Sequence, residues 1–476
     1  MTQKKRNEVK LANSSSSAPM IQKAKKKKSV ANTKKANIFN QVIISNGEDA
    51  TQKFNHISKG KNIVEPSNDN TDQMDVDLVN PGCYLKFSSI VILQVHRSAY
   101  LVPVPLPIAT AAHFQEELLM DILSRLPVRS LLQFKCVSKF WNTLISEPYF
   151  KMKHLNHAKN DQDSQKFLIA HRCPKDYIWS MYCVPLSSVQ PVEDVQKFDC
   201  PSNPKPCRCA IHCCYDGLAV FEVPDNLDKK SSILLLWNPS TRESLLLPPL
   251  EFPPEGDSTF GLGYDSTSGE YKILHIRDGL GSCKLPSEIL ALKGGSWRSI
   301  DEHPRGICTV LLGMRSLPFV HEAFHWIAIL KKLKCFVVVS FSISNEVYGE
   351  IPLPKEMLSL KGNTSIGVSV LEGMLCIYSN STRQRNETFK LWVLKEYGVE
   401  ESWTRLLTIE DPWICNVVPK YRFADGEVLF RCLLHQQSGN GFRTPSGPFV
   451  SWPRLDGIQN GYAFTESLIS PKSLTY

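Results

Sequence analysis

The stretch FQEELLMDILSRLPVRSLLQFKCVSKFWNTLISEPYFKMKHL, residues 114–155, decides the fold of the first folded part of the chain. Its first apolar residues recur at the spacing of one helical face: Leu118, Leu119, Ile122, Leu123 and Leu126. Acidic side chains stand near the start, where the helix dipole favours negative charge. Pro127 ends this predicted helix, because proline removes a backbone donor and restricts the residue before it.

Two further short helices follow in the same stretch. Ser130 is placed to cap a helix from Leu131 to Cys136, and Ser138 is placed to cap a third helix that ends at Glu147-Pro148. Three short helices cannot bury so many apolar side chains among themselves, so a unit of this size needs another surface. Either the rest of the chain or a second protein could provide that surface.

The order of residues in EELLMDILSRLPVRSLLQFKCVSKFW, residues 116–141, resembles the F-box. The resemblance covers roughly residues 113–157, although His113-Phe114 stands where the family usually has Leu-Pro. It implies a docking module that binds the Skp adaptor of SCF (Skp–cullin–F-box) ubiquitin ligases, and a cullin through that adaptor, while the rest of the chain captures a protein substrate. The adaptor-facing or module-core residues carried over by position are Phe114, Leu118, Ile122, Leu123, Leu126, Pro127, Leu131, Val137 and Trp141.

From about Gln165 onward, short apolar runs alternate with clusters of Gly, Pro, Asn, Asp and Ser, which is typical of all-β structure. A loose repeat of 40–50 residues is visible in this part, with several units that contain a tryptophan. Such repeats indicate propeller blades, because one unit cannot bury its own faces without neighbours. The units span residues 167–200, 216–249, 260–300, 323–354, 366–409 and 425–470, of which the first and last are the most degenerate.

Residues 210–410 also resemble the F-box-associated domain, a kelch-like β domain, through segments such as WNPSTRESLLLPP and GLGYDSTSGEYKIL. The fold class expected is therefore α+β and multidomain, with a three-helix F-box at 113–157 followed by an all-β, kelch-like propeller at 165–476. Long helices are not expected between Asp216 and Ile409. One buried aromatic residue per blade should set the packing between blades, and the candidates are Trp237, Trp297, Trp326 and Trp392.

The net charge of +8 lies entirely in the N-terminal part of the chain. Residues 1–112 hold 16 Lys/Arg and 8 Asp/Glu, whereas the rest holds 39 of each, which argues against a nucleic-acid-binding core. Residues 1–80 are expected to be a disordered basic tail, either a merely solvated one or one whose clusters act as a nuclear import signal. We therefore expect the nucleus and/or the cytoplasm as location. Residues 81–112 form an apolar linker that three prolines make unsuitable as a membrane span.

Catalytic and metal chemistry has weak support in the sequence. Cys207, Cys209, Cys213 and Cys214 with His212 lack the second, distant pair that a structural zinc site normally has, so reduced thiols and no metal are expected. His321 and His325 would share one face of a strand in a structural role. No catalytic residue and no cofactor is predicted. The alternatives to a ligase receptor are a propeller enzyme of the galactose-oxidase type and a non-degradative binding module unrelated to ubiquitin.

Overall fold

The computed structural model describes most of the chain from Glu116 to Thr475. The stretches that it does not describe within that range are 174, 187–195, 199, 202–208, 225–231, 251–257, 278–286, 312–313, 315, 334, 359–363, 384–385, 412–413, 435–439, 446 and 449–457. The predictions for the basic tail, for the apolar linker and for Phe114 therefore lie outside the described residues.

Within the described residues, four helices form the first folded part, one more than the sequence predicts: α1 Glu116–Leu123, α2 Val128–Lys135, α3 Lys139–Ser146 and α4 Pro148–Asn160. The predicted cap of α2 is wrong, because that helix begins at Val128 after an extended Pro127, and Ser130 lies inside it. The predicted cap of α3 is confirmed, since the Ser138 side chain accepts a hydrogen bond from the Trp141 backbone N–H at 3.3 Å. Pro148 does not only end α3 but opens α4, where its missing N–H costs nothing.

Six antiparallel sheets follow, and each is one blade of a propeller within the part of the chain that is described. Blade 1 contains β1 Gln165–Arg172, β2 Trp179–Pro185, β3 Gln196–Phe198 and the last strand, β25 Ile458–Thr465. Blade 2 contains β4 Ala210–Tyr215, β5 Leu218–Pro224, β6 Ser232–Asn238 and β7 Glu243–Leu246. Blade 3 contains β8 Ser258–Asp265, β9 Glu270–Arg277, β10 Glu288–Ala291 and β11 Trp297–Ser299.

The remaining blades follow in chain order. Blade 4 contains β12 Ile307–Val310, β13 Phe319–Val320, β14 Ala323–Leu330, β15 Cys335–Ser342 and β16 Tyr348–Ile351. Blade 5 contains β17 Thr364–Leu371, β18 Met374–Arg383, β19 Asn386–Leu394 and β20 Trp403–Glu410. Blade 6 contains β21 Ile414–Arg422, β22 Val428–Leu434, β23 Asn440–Thr444 and β24 Gly447–Pro448. The only other α-helix in the described residues is the short α5, Lys355–Leu358, so the expected absence of long helices between Asp216 and Ile409 holds there.

The ring is closed by a strand from the far end of the chain. β25 pairs with β1 in blade 1, from Gln165 opposite Thr465 to Ala170 opposite Asn460. As the innermost strand of blade 1, β25 contacts β21 of blade 6 on one side and β4 of blade 2 on the other. The predicted last repeat, residues 425–470, is therefore divided, because its final strand completes blade 1 and not blade 6.

Close packing between blades depends on glycines in the inner strands. A side chain at Gly261 or Gly263 of β8 would overlap the rings of Phe324 and Phe319 in blade 4, respectively. Trp237, Trp326 and Trp392 are each 2% exposed, as predicted. Trp297 is only half-buried, because it lies on the outer strand β11, where its indole N–H donates to the Pro248 carbonyl at 2.9 Å.

The two ends of the propeller differ in how the strands are connected. At one end, here named the turn end, tight turns such as Asp216-Gly217 join the first and second strands of a blade. The residues after β25 lie at this end, since the buried Asn238 donates hydrogen bonds to the carbonyls of Ser467 and Ile469. The opposite end, where the inner strands begin, is named the loop end.

Candidate functional site

The helices α1 to α4 expose large apolar side chains to solvent. The exposed fractions are 47% for Leu118, 41% for Val137, 53% for Phe140, 67% for Tyr149 and 36% for Met152. Large apolar side chains that stand together in solvent are typical of protein interaction sites. The helical module, residues 116–160, therefore offers apolar surface that the propeller does not cover.

The structure divides the predicted adaptor-binding residues into core and surface positions, a distinction that the sequence left open. Leu123, Leu126 and Leu131 are 1%, 7% and 0% exposed and form the interior of the module. Ile122 and Trp141 are half-buried, whereas Leu118, Pro127 and Val137 are exposed. The three buried leucines hold the helices together, so the exposed positions are the ones that a partner can reach. A direct role of any of them in adaptor binding stays a prediction.

The connection between α2 and α3 turns two apolar side chains outward. Ser138 is extended, with φ −155°, and its cap on Trp141 fixes the start of α3. The Trp141 ring lies 6.1 Å from the Phe134 ring below it and 5.7 Å from the Phe140 ring beside it. Val137 and Phe140 remain exposed on the outer side. Residues 135–141 are named the α2–α3 corner.

Phe140 is an exposed aromatic residue of the module that the sequence-based set does not include. It lies four residues before Leu144, so the two side chains share one side of α3, and Phe140 stands at the edge of the apolar stripe that Leu144 and Ile145 continue into the core. The signal available in the sequence was therefore its i, i+4 spacing to Leu144.

Side chains of α1 and α4 hold the helical module together. Asp121 and Lys153 form an ion pair, and the Lys153 partner lowers the pKa of Asp121. His154 is 2% exposed and lies 3.1 Å from the Leu126 carbonyl oxygen. Burial lowers the pKa of His154, so the ring is neutral. Since a carbonyl oxygen only accepts, Nε2 carries the proton and donates it to Leu126.

The last turns of α4 fasten the module to the turn end of the propeller. Leu155 is fully buried in a cluster with Leu218 of β5 and Ile469 near the C-terminus. Lys159 pairs with Asp216 at 2.7 Å, and the Tyr271 hydroxyl donates to the same carboxylate at 3.1 Å. Burial raises the pKa of Asp216, although both partners act against that rise. The joint thus combines apolar packing with a partly buried ion pair.

The side of blades 2 and 3 toward the loop end contains two buried histidine–glutamate pairs. His212 of β4 lies 2.8 Å from Glu222 of β5, and His275 of β9 lies 3.3 Å from Glu288 of β10. The Phe260 ring stacks on His275 with centroids 4.4 Å apart. Burial lowers the pKa of His275 to about 3, so this ring is neutral near pH 7. These groups are paired within the sheets, which suits a structural role better than an open site.

Metal-binding residues do not gather in the part of the chain that is described, where no group of three or more His, Cys, Asp or Glu side chains is placed to hold an ion. Of the cysteine cluster weighed as a zinc site, Cys207 lies outside the described residues. Burial raises the pKa of Cys213 well above its usual value, which keeps that thiol protonated.

The expectation that His321 and His325 share a strand face is wrong. His321 lies in the turn before β14, with φ +49°, and is exposed, whereas His325 lies inside β14 and is fully buried. Both contact Tyr397 of the neighbouring blade: the His321 ring at 4.4 Å between centroids, and the His325 Nε2 atom at 2.8 Å from the hydroxyl. The two histidines therefore contribute to packing between blades 4 and 5.

None of the helices in the described residues has the length and apolar character needed to cross a membrane.

Comparison with known families identifies both parts of the chain. Residues 113–153 match the family described as F-box domain, and residues 167–432 match the family described as F-box associated beta propeller domain. The first match covers α1 to α3 and the beginning of α4, and the second runs from β1 of blade 1 to β22 of blade 6.

Similar proteins include two from Arabidopsis thaliana. An F-box/kelch-repeat protein is 26% identical over 75% of this chain and 96% of its own length. The F-box protein CPR1 is 27% identical over 62% of this chain and 73% of its own length. Among solved structures, the Aleuria aurantia lectin is similar with a TM-score of 0.35 and 8% identity, over 64% of this chain and 93% of that one.

Proposed function

The chain belongs to the F-box associated beta propeller family and carries an F-box domain, and from this premise we propose that it is the substrate-recognition subunit of an SCF-type ubiquitin ligase. In this role the helical module binds a Skp adaptor, the adaptor binds a cullin, and the propeller holds a protein substrate. The observation that carries the proposal is the exposed apolar surface of the F-box helices, which is free of the propeller although α4 is fastened to it.

A receptor of this kind needs no catalytic residue of its own. Holding the substrate near the conjugating enzyme raises the effective concentration of the acceptor lysine, and proximity alone accelerates transfer. The joint at Leu155 and Asp216 fixes the direction in which the propeller extends from the adaptor. The loop end lies away from this joint, and we therefore assign substrate capture to the loop end, because binding residues commonly stand on loops at the end of a rigid scaffold.

The location of the protein is a separate part of the proposal. The basic clusters Lys4-Lys5-Arg6 and Lys25–Lys28 would act as an import signal for the nucleus. Deletion of residues 1–35 should then move the protein from the nucleus to the cytoplasm without loss of adaptor binding. An unchanged distribution would contradict the import role.

Co-elution of the full chain with a purified Skp adaptor and a cullin on size exclusion tests the proposed function. Phe140→Asp should abolish co-elution, because central apolar contacts typically contribute about 2 kcal/mol or more to binding. Phe336→Asp is the matched control, since Phe336 is a 40% exposed phenylalanine on the propeller, against 53% for Phe140.

The control should co-elute like the wild type. Failure of the wild type to bind any Skp adaptor would contradict the proposed function. Equal loss for Phe140→Asp and Phe336→Asp would place the contact elsewhere than on the F-box helices.

A further inference from the structure

The chain continues past the strand that closes the ring. β25 ends at Thr465, and its pairing with β1 completes blade 1. Residues 466–475, here named the C-terminal segment, follow this strand and include a short 3-10 turn, Pro471–Leu474. No strand of blades 1 to 6 includes a residue of the C-terminal segment in the described part of the chain. The pairing that closes the ring therefore does not use it.

The C-terminal segment is nevertheless buried against blade 2. The exposed fractions are 0% for Ser467, 3% for Leu468 and 5% for Ile469. The turn of blade 2 leaves just enough room, because a Cβ at Gly217 would lie 2.3 Å from the Ser467 Oγ atom. Segments outside helices and sheets commonly run over the surface, since their backbone groups need partners. A buried one requires partners within the protein.

One side chain of blade 2 provides these partners. Asn238 is fully buried, and its amide nitrogen donates to the carbonyls of Ser467 at 3.1 Å and of Ile469 at 2.7 Å. Its Oδ1 atom accepts a hydrogen bond from the Ser240 backbone N–H at 2.8 Å. Only a side chain that both donates and accepts can make all of these bonds. Asn238 thus shapes its own turn and holds the C-terminal segment.

Apolar side chains of the C-terminal segment pack on the helical module. Ile469 lies in one buried cluster with Leu155 of α4, and Leu474 packs against that cluster. The 3-10 turn that contains Leu474 contacts β6 and β7 of blade 2. The C-terminal segment therefore contacts α4 and blade 2 at the same time.

Hydrogen bonds join the start of the C-terminal segment to the end of α4. The Glu466 backbone N–H donates to the Ser164 carbonyl at 2.9 Å. The Thr465 hydroxyl donates to the Gln165 side-chain oxygen at 3.1 Å, and the Gln165 side-chain nitrogen donates to the Ala158 carbonyl of α4 at 2.8 Å. Polar bonds thus add to the apolar contact between this end of the chain and α4.

We propose that the C-terminal segment fixes the position of the F-box helices relative to the propeller, with Asn238 as a positioning residue. α4 contacts the propeller directly through Leu155 and Lys159, and the C-terminal segment adds a second connection between α4 and blade 2. The inference goes beyond the proposed function, because it concerns contacts within the chain and holds whatever protein the helices bind. In a ligase receptor, this connection would fix the direction from the adaptor to the bound substrate.

Two variants remove the connection while keeping β25 and the helices. Deletion of residues 467–476 retains Thr465 and the strand pairing that closes the ring. Asn238→Asp retains the size of the side chain and the acceptor for Ser240, but it replaces the amide donor by an oxygen that faces two carbonyls. The second variant decides the question if the deletion prevents folding.

Asn380→Asp is the matched control for Asn238→Asp. The Asn380 amide nitrogen donates to the Val417 carbonyl at 3.0 Å, and this bond joins blades 5 and 6. The control therefore loses an amide donor inside the propeller without a change in the C-terminal segment.

The distance between two spin labels, measured by electron paramagnetic resonance on the full-length chain, tests the inference. One label replaces Tyr149 of α4, which is 67% exposed, and the other replaces Leu333 of blade 4, which is 60% exposed. Both labels are attached to a ketone-bearing amino acid, so the native cysteines stay unlabelled. The wild type should give one narrow distance distribution.

The deletion should broaden this distribution for most of the molecules. Asn238→Asp should raise the population outside the wild-type distance about tenfold, because the loss of buried hydrogen bonds favours the released state. Asn380→Asp should give the wild-type distribution. A deletion variant that folds and keeps the wild-type distribution, or equal broadening in the two Asp variants, would overturn the inference.

Binding of the Skp adaptor by the same variants separates the inference from the proposed function. Helices α1 to α3 are unchanged in all of them, so each variant should bind the adaptor as tightly as the wild type. A wild type that binds no adaptor would contradict the proposed function, and the distance distributions would still decide the inference. Loss of adaptor binding in Asn238→Asp would overturn the positioning role, since the C-terminal segment would then stabilise the module itself.

Discussion

The helical module exposes more of its large apolar side chains, relative to its length, than the propeller does. Of twelve large apolar side chains that are exposed in the described part of the chain, five lie in residues 116–160, and the other seven are spread over the much longer propeller. A blade has a neighbour on each side and buries both faces of its sheet, because the ring is closed. The module has one such neighbour, reached through α4. The helical module therefore keeps exposed apolar side chains, whereas the blades of the propeller bury most of theirs against one another.

A carboxylate at a core position and one at a surface position of α1 would test this distinction most severely. Leu123→Asp should destabilise the module by about 3–5 kcal/mol, because a buried charge would have no partner. Leu118→Asp should change stability by less than about 0.5 kcal/mol, since Leu118 is 47% exposed. Denaturant unfolding, together with hydrogen exchange of residues 116–146, measures the loss of stability in each of the two variants. Equal costs would mean that the outer face of α1 is covered by the chain itself.

The dense packing of the propeller should make it sensitive to a single added methyl group. Gly367→Ala would place a Cβ 2.3 Å from the Tyr378 ring, so we expect a loss of about 1–3 kcal/mol. Gly294→Ala is the control, because the nearest atom there is 3.4 Å away. Urea unfolding of both variants gives the difference. A tolerated Gly367→Ala would show that contacts within blade 5 are looser than those of a closed core.

Acidification should weaken both regions, because each holds a buried neutral histidine. Burial lowers the pKa of His325 in the propeller from 6.5 to about 4. Because the folded state disfavours protonation of His325, the neutral ring adds to the free energy of unfolding. This added stability is fully present above pH 6.5 and is lost as the pH falls toward 4. At pH 5.5 the loss is about 1.4 kcal/mol for this residue. Burial lowers the pKa of His154 in the module as well, which gives the same sign there.

Unfolding free energies of the wild type and of His325→Gln between pH 7 and pH 4.5 check this expectation. The variant should show a flatter pH dependence, with a slope reduced by up to one proton. Parallel curves would exclude His325 as the titrating group.

The smallest effect concerns one turn of the propeller. Blades 2 and 5 use Asp216-Gly217 and Glu372-Gly373 at the turn end, whereas blade 4 uses His321-Glu322, with both residues at positive φ. A non-glycine residue in this conformation is strained. Glu322→Gly should therefore stabilise the protein by about 0.5–1 kcal/mol. Thermal unfolding measures it, and a lower midpoint would show that the Glu322 side chain contributes more than its strained backbone costs.

The sequence could predict features that depend on neighbouring residues. The apolar spacing of Leu118 to Leu126 predicted α1, Ser138 predicted the cap of α3, and the repeats predicted a propeller without fixing how many blades it has. It failed where two local signals compete. α2 begins at Val128, directly after Pro127 and ahead of Ser130, because a proline at the N-cap needs no backbone N–H and its fixed φ allows the helix to start there.

Other features depend on distant contacts that local patterns do not contain. The pairing of Gln165 with Thr465, which closes the ring, joins residues 300 positions apart. The half-burial of Trp297 follows from its outer strand, and the turn at His321 has no glycine to reveal it. For the candidate site, periodicity identified the apolar side chains of the module, but only the packing of the helices separates the buried Leu123 from the exposed Val137 and Phe140.

Hydrogen–deuterium exchange of the full-length chain with and without the Skp adaptor tests the central claim most directly. The claim is that the partner covers the outer face of the F-box and does not change the structure of the propeller. Adaptor binding should slow exchange in peptides that contain residues 116–120 and 135–141, and it should leave the strands of blades 1 to 6 unchanged. Protection confined to the propeller, or no protection at residues 135–141 in a saturated complex, would contradict it.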